Sequence, residues 1–430
     1  MPNRSIAFLL LVSYVFYWTV AGNYIACLIF VSLLTWYCGR QISRHPETKK
    51  RYLYLAIFGA IGQLVLFKYN GILPSIPLGI SPIPLGLSFY TLASITYVFD
   101  MYRGKLGPVH SIREYALFVS FFPLVTSGPI ARARDFLPQI SVMALRSKDL
   151  RYGATLIVIG LIKKFAIADN IGPIVDPIFL SPYSHDSAVI ILATFAFGLQ
   201  LYFDFSGYSD IAIGIARVLG FKIPPNFNIP YLAANPSEFW HRWNISISSF
   251  LRDYLYIPLG GNRKGNLRTY LNLIITMALC GLWHGTTWNF LIWGAYHGGF
   301  LTIHRLIESS RLGGRFIGRF WTIPQVILTQ YFIFLGWLFF RISDLDKLSY
   351  CLSKFLLFDI NDFMRFSKIF LLAPIVLLVI AYKNKILAVD WVKLISLLEL
   401  RYWIIFLITA ILLVIILAPS SHPNFIYQAF

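Results

Sequence analysis

Charge is scarce in this sequence. Only 13% of its 430 residues are Asp, Glu, Lys or Arg, about half the share of a soluble domain, while 57% are apolar and the mean hydropathy is +0.66. Soluble folds are excluded, and a polytopic membrane protein is the default class. Acids are scarcest, 19 against 37 Lys and Arg. In a membrane chain that surplus of base belongs to cytoplasmic loops facing the anionic inner leaflet, so the partner it implies is the lipid bilayer and not nucleic acid. The four cysteines, Cys27, Cys38, Cys280 and Cys351, stand singly with no C-x-x-C spacing, which supports neither a disulfide framework nor a metal site. There is no phosphate-binding or dinucleotide glycine motif and no G-x-S-x-G nucleophile elbow. No Gly/Ser-rich or polar stretch is long enough for a linker or a soluble module, so residues 1–430 read as one membrane-embedded domain. No internal repeat is visible, which counts against a lipid or glycan transporter, the non-enzymatic alternative.

What fills the chain is a series of apolar runs. At about 20 residues per spanning helix they fall at 6–21, 24–39, 52–69, 83–101, 114–130, 153–180 (interrupted), 188–220, 269–305 (too long for one), 321–340, 366–382 and 402–418, or roughly 10 to 12 spans. The first run, behind Arg4, is shaped like a signal peptide, but the second follows at once and predicts a retained membrane helix. Arg40, Arg44, Lys49, Lys50 and Arg51 stand against a single Glu47, so this loop is expected in the cytoplasm. The uncharged stretch 70–82 and the acidic stretch 172–187 are expected outside. Residues 114–130 contain Pro123, Gly128 and Pro129, which would interrupt a regular helix, and have basic residues on both flanks. A buried re-entrant segment is expected there.

Polar groups inside such surroundings are costly and therefore informative. The densest group is 237–265. Asn235-Pro236-Ser237 followed by Glu238 predicts a helix start capped by Ser237. A helical wheel then sets Trp240, Trp243, Ile247, Phe250, Leu251 and Tyr254 on one face and Glu238, Arg242, Ser249, Arg252, Asp253 and Tyr256 on the other. The pattern predicts one amphipathic helix over 237–256, and an interfacial helix with a solvated charged face would explain it without further function. Asn244 falls on the apolar side, where an unpaired amide costs about 1–3 kcal/mol, whereas His241 lies at the edge of the polar stripe. Five basic residues between Arg242 and Arg268 place this helix on the cytoplasmic side.

The second group is 279–299. Between Tyr270 and Leu301 there is no Lys, Arg, Asp or Glu, so His284 lies deep in an apolar stretch about 50 Å long if wholly helical. That stretch must tilt, protrude or break, and 281–287, with its two glycines, is the expected break. His284 either hydrogen-bonds a neighbouring helix or acts as a base. Burial disfavours the imidazolium, so the ring stays neutral and is able to take the proton of a hydroxyl attacking a thioester. His297 lies about 220° round an unbroken helix from His284 and is read as structural. Asp204 and Asp210 lie in another apolar stretch and form either a proton path or structural pairs.

Several of these stretches occur together in a known order: Tyr202-Phe-Asp-Phe-Ser-Gly-Tyr-Ser-Asp210, Asn226-Phe-Asn228, Glu238-Phe-Trp-His-Arg-Trp243, Leu251-Arg-Asp-Tyr-Leu-Tyr-Ile-Pro-Leu-Gly-Gly-Asn-Arg263 and Leu282-Trp-His-Gly285, with Tyr97–Arg103, Ser127-Gly-Pro129, Leu161–Pro177 and Asn424-Phe-Ile-Tyr427 besides. From about Leu85 onward the chain resembles the membrane-bound O-acyltransferase family, and within it the bacterial membrane subunit of alginate and other exopolysaccharide O-acetylation. The Tyr-Ile-Pro-Leu-Gly-Gly-Asn-Arg stretch favours that branch over the subunit that transfers D-alanine to teichoic acid, which is the alternative activity. The resemblance implies an all-α ring of membrane helices with re-entrant and interfacial pieces around a thin centre. It also implies a catalytic His284 and a second polar residue at Asn244, where this branch commonly has histidine. A histidine occurs instead at His241, an accessory candidate together with Asp204 and Asp253. No tightly bound cofactor is implied. The donor would be acetyl-CoA or a carrier-protein thioester, attracted from the cytoplasm by Arg242, Arg252 and Arg263, since its phosphates are anionic. The acceptor would be a cell-surface or exported polysaccharide, reached through an extracytoplasmic acyltransferase partner, with the chain in the bacterial cytoplasmic membrane.

Overall fold

The computed structural model describes residues 2–69, 83–107, 111–310, 322–357 and 390–419. The run at 366–382 and the motif at 424–427 lie outside them. All regular structure among the described residues is helical, and five stretches are long and apolar enough to cross a membrane: Arg4–Arg44, Lys49–Lys68, Ser187–Val218, Ile323–Arg341 and Leu400–Leu417. The chain forms two compact units, one of residues 1–157 with 208–225 and one of 158–207 with 226–430.

In the first unit α1 (Pro2–Ala21), α2 (Ile25–Arg44) and α3 (Lys49–Lys68) carry apolar faces. The next helix, α4 (Leu87–Tyr102), is buried along almost its whole length. It packs on α2 and α3, and its polar side chains turn back on their own helix, Ser94 Oγ to the Tyr90 carbonyl at 2.9 Å and Thr96 Oγ1 to that of Ala93 at 2.7 Å. This satisfies hydroxyls that apolar surroundings would otherwise penalise. The run at 114–130 is broken: α5 (Ile112–Ser120) ends at Phe121, and a single turn, α6 (Phe122–Val125), begins with Pro123 in its first positions. A proline lacks the N–H that would have continued α5. Next come α7 (Ala133–Ser141) and α8 (Ser147–Leu161). Residues of α8 meet the end of α10 (Ser187–Val218) where Gly153 and Gly214 face each other; a Cβ on either would lie 2.7 Å from the other's carbonyl oxygen.

The second unit begins with a wide π turn, Ile162–Ala168, that interrupts the run at 153–180, and with α9 (Asp169–Leu180). Its central feature is a tight hairpin of α13 (Asn266–His284) and α14 (Trp288–Ser309). Glycine makes the close approach: a Cβ on Gly281 would overlap the Phe290 carbonyl, one on Gly294 that of Met277, and one on Gly298 would lie 2.7 Å from Ile274 Cα. Against α14 packs α15 (Thr322–Arg341), followed by α16 (Leu345–Leu356), α17 (Trp391–Ser396) and α18 (Leu400–Leu417). The last has a mean hydropathy of 2.6 and almost wholly exposed side chains, as a helix facing lipid requires.

Candidate active site

Residues 236–256 do not form the single helix that the wheel predicts. They form α11 (Pro236–Arg242), α12 (Ile245–Phe250) and a wide turn, Leu251–Tyr256. The break is Asn244, held in the left-handed region at φ 40, ψ 59, which asparagine tolerates better than most residues. An upstream loop supports it. The Asn226 carbonyl accepts the Ile245 N–H at 2.8 Å and Asn226 Oδ1 that of Ser246 at 3.0 Å, so Asn226 supplies the acceptors that the start of α12 lacks. The cap of α11 also differs from expectation: Asn235 Oδ1, not Ser237, accepts the Glu238 N–H at 2.8 Å, and Glu238 Oε2 accepts the N–H of Ala234, the residue before the cap, at 2.8 Å.

The facing assignments survive the break. Trp240, Trp243, Ile247, Phe250, Leu251 and Tyr254 are buried, Asn244 is 3% exposed, and His241 is exposed with Nδ1 2.6 Å from the Ser237 carbonyl. Asn244 Oδ1 accepts from Ser246 Oγ at 3.4 Å.

His284 is the last residue of α13 and is 4% exposed. The helix stops because Gly285 is extended, leaving no side chain to collide with the Phe290 ring beside it. Thr287 Oγ1 then donates to Asn289 Oδ1 at 2.5 Å, and Asn289 Nδ2 donates to the Phe339 carbonyl at 3.0 Å, fixing the start of α14 on α15. The imidazole lies among Trp283, Trp293 and Phe340, with ring centroids at 4.8, 5.1 and 5.2 Å. The aromatic cluster continues through Trp337, 6.0 Å from Phe340, to Trp243, 4.9 Å from Trp337 and next to Asn244 in sequence. The structure thus brings His284 and the Asn244 turn to one aromatic cluster.

His297 joins the same cluster, contrary to the expectation from an unbroken helix. The break after His284 resets the helical phase, and both imidazoles contact Trp293. Asp204 is a structural pair at minimum: Lys164, on the π turn, lies 2.6 Å from Asp204 and 2.7 Å from Asp169, both carboxylates buried. Lys164 is the partner the sequence reading missed, although a lysine in an apolar run five residues before an aspartate was its signal. Asp253 pairs with Arg252 at 2.7 Å, and Arg242 with Glu238 at 2.7 Å. Arg263 is exposed beyond Gly261.

A cavity of about 290 Å³ opens between the 236–256 segment and the α13–α14 hairpin. Trp240, His241, Ser249, Arg252, Thr276 and Arg305 are among its lining residues, which include no carboxylate. Of the three arginines expected to attract a donor, only Arg252 lines it; Arg305, not singled out from the sequence because it follows the apolar stretch, lines it as well.

Fold and site together define a multi-pass membrane protein with a buried imidazole at a helix break. The chain belongs to the membrane-bound O-acyltransferase family, whose model matches residues 105–345, and it is an O-acyltransferase. It is 38% identical over 358 residues to a protein named probable alginate O-acetylase from Azotobacter vinelandii, covering 79% of this chain and 70% of that one. A peptidoglycan O-acetyltransferase of Helicobacter pylori is 38% identical over 62% of this chain and 55% of its own. A teichoic acid D-alanyltransferase of Streptococcus thermophilus is more distant, 29% identical over 65% and 70%.

Proposed function

We propose that the chain transfers an acetyl group from a cytoplasmic thioester, acetyl-CoA or an acyl carrier protein, for O-acetylation of a cell-surface or exported polysaccharide. Two relatives at 38% identity are named as a probable alginate O-acetylase and a peptidoglycan O-acetyltransferase, which supports a polysaccharide acceptor; donor, route and residue roles are our reading. His284 accepts the proton of the attacking hydroxyl, whose oxygen forms a bond to the thioester carbonyl carbon. The C–S bond breaks, and the proton passes from His284 to the departing thiolate. Asn244 polarises the carbonyl or orients the substrate. The donor's phosphates rest on Arg252 and Arg305, with His241 at the rim. An extracytoplasmic acyltransferase partner carries the group to the glycan, in the bacterial cytoplasmic membrane. The described helices belong to a ring of ten to twelve membrane segments with a thin centre, acting as one acyltransferase domain.

The observation that carries this reading is the placement of a buried histidine at a helix break among aromatic rings, in a chain of this family. Its test is transfer of radiolabel from acetyl-CoA into envelope polysaccharide by inside-out membrane vesicles from cells expressing the chain. Label in polysaccharide, dependent on the chain, is expected. Absence of transfer from acetyl-CoA, with transfer from an acetylated carrier protein, would move the donor; uptake of label without ester formation would make the chain a transporter. Single-cysteine labelling at Ser249 or Arg263 should succeed only from the cytoplasmic side, and efficient labelling of intact cells would reverse the orientation.

A further inference from the structure

Trp293 is shared by two imidazoles. Its ring centroid lies 5.1 Å from that of His284 at an interplanar angle of 89°, and 4.9 Å from that of His297 at 67°. His297 is wholly buried, and neither of its ring nitrogens has a hydrogen-bond partner among the described residues. It also meets Trp240 nearly perpendicularly, with centroids 5.3 Å apart. On its far side the ring rests against α15, where a Cβ on Gly336 would lie 2.8 Å from His297 Nε2.

As packing alone, this arrangement is poor. Burying an unpaired polar group costs about 1–3 kcal/mol, and a leucine would fill similar volume with no polar atom to satisfy. What an imidazole adds is a directed N–H among indole rings, a weak contact that favours one edge-to-face geometry. Seated on the Gly336 notch, the His297 ring is also unable to retreat. The two features make it a fixed stop against Trp293, whose ring also meets His284, Trp240, Trp337 and Phe340.

We propose that His297 is a positioning residue for His284, acting through Trp293, with Gly336 as the notch that seats it. The inference rests on the reading of His284 as the base. Displacing the indole by a fraction of an ångström turns the His284 nitrogen away from the attacking hydroxyl, and misplacement on the order of 1 Å costs about 100-fold in rate. Neither His297 nor Trp293 lines the donor cavity, whereas Trp240, which His297 also meets, does; an effect carried by Trp293 falls on turnover, and one carried by Trp240 would fall on KM.

The test compares His297→Leu, Gly336→Ala and His284→Gln in membrane vesicles, with acetyl-CoA varied to separate kcat from KM. His297→Leu is expected to lower kcat about 10- to 100-fold with KM for acetyl-CoA unchanged within about twofold and thermal stability equal to or above wild type. Gly336→Ala, which moves the imidazole without removing it, is expected to lower kcat in the same way, and it decides the matter where His297→Leu fails to fold. Wild-type kcat in both variants beside an inactive His284→Gln would make His297 a packing residue, as would a loss of kcat that tracks a loss of folded protein in both. A raised KM at full kcat would put His297 in substrate binding and overturn the proposal. Full activity of His284→Gln would remove the base itself, a failure of the underlying reading distinct from that of this inference.

Discussion

The two broken helices of the site make a useful pair. The break between α13 and α14 arises from local chemistry: Gly285 lets the chain turn out of α13 beside Phe290, and Gly281, Gly294 and Gly298 let the two helices touch. The break at Asn244 arises from a distant partner, Asn226, whose backbone and side-chain oxygens take two N–H groups of the next helix. One break is written within a few residues and the other requires a loop eighteen positions upstream. Both end with a buried polar side chain at a turn, which is where irregular backbone in membrane surroundings can be satisfied by protein.

Substitutions sharpen this comparison. The largest effect is expected at the hairpin, where Gly294→Leu places a side chain into the Met277 carbonyl and the neighbouring turn. Overpacking of a backbone contact should abolish the folded protein, read as loss of the monodisperse peak in detergent; a well-folded variant would show that the hairpin can open.

Asn244 separates turn from chemistry. Asn244→Gly keeps the left-handed backbone at little steric cost, whereas Asn244→Ala strains it by about 1–2 kcal/mol. If the amide serves the reaction, both variants lose activity and only the alanine variant loses stability. Wild-type acylation by Asn244→Gly would make the residue a turn former and nothing more. At the smaller end stands the Glu238–Arg242 pair, about one third exposed on each side. Arg242→Gln should lower the melting temperature by no more than a degree or two, since such pairs contribute about 0–1 kcal/mol, and should leave KM for acetyl-CoA unchanged, because Arg242 does not line the cavity. A marked rise in KM would return Arg242 to the donor entrance.

Much of the architecture was legible in the sequence because membrane helices are selected by length and apolarity. The runs at 52–69, 188–220, 321–340 and 402–418 appear as α3, α10, α15 and α18 within three residues at each end. Proline and glycine signalled the interruptions near 123 and 285. The helix over 237–256 was misread because wheel periodicity records which side chains are buried, and burial here is shared by two short helices on the same cluster. A left-handed asparagine leaves no mark on that periodicity, and its support lies outside the window. His297 was misplaced for a related reason, since an angle computed along one helix has no meaning across Gly285. The Asp204 partner and the Arg305 side of the cavity depend on tertiary contacts that no single segment encodes.

The central claim is that His284 is a base and not a helix tie. Its most direct test is acylation by His284→Gln in vesicles, beside His284→Ala and with folding monitored in parallel. An amide can replace a hydrogen bond but cannot accept the proton, so both variants should fold and lose the factor of about 10² to 10⁴ that general-base assistance provides. Acylation by His284→Gln within a few-fold of wild type would show that the ring only holds helices together, and the chemistry would have to be sought elsewhere in the cluster.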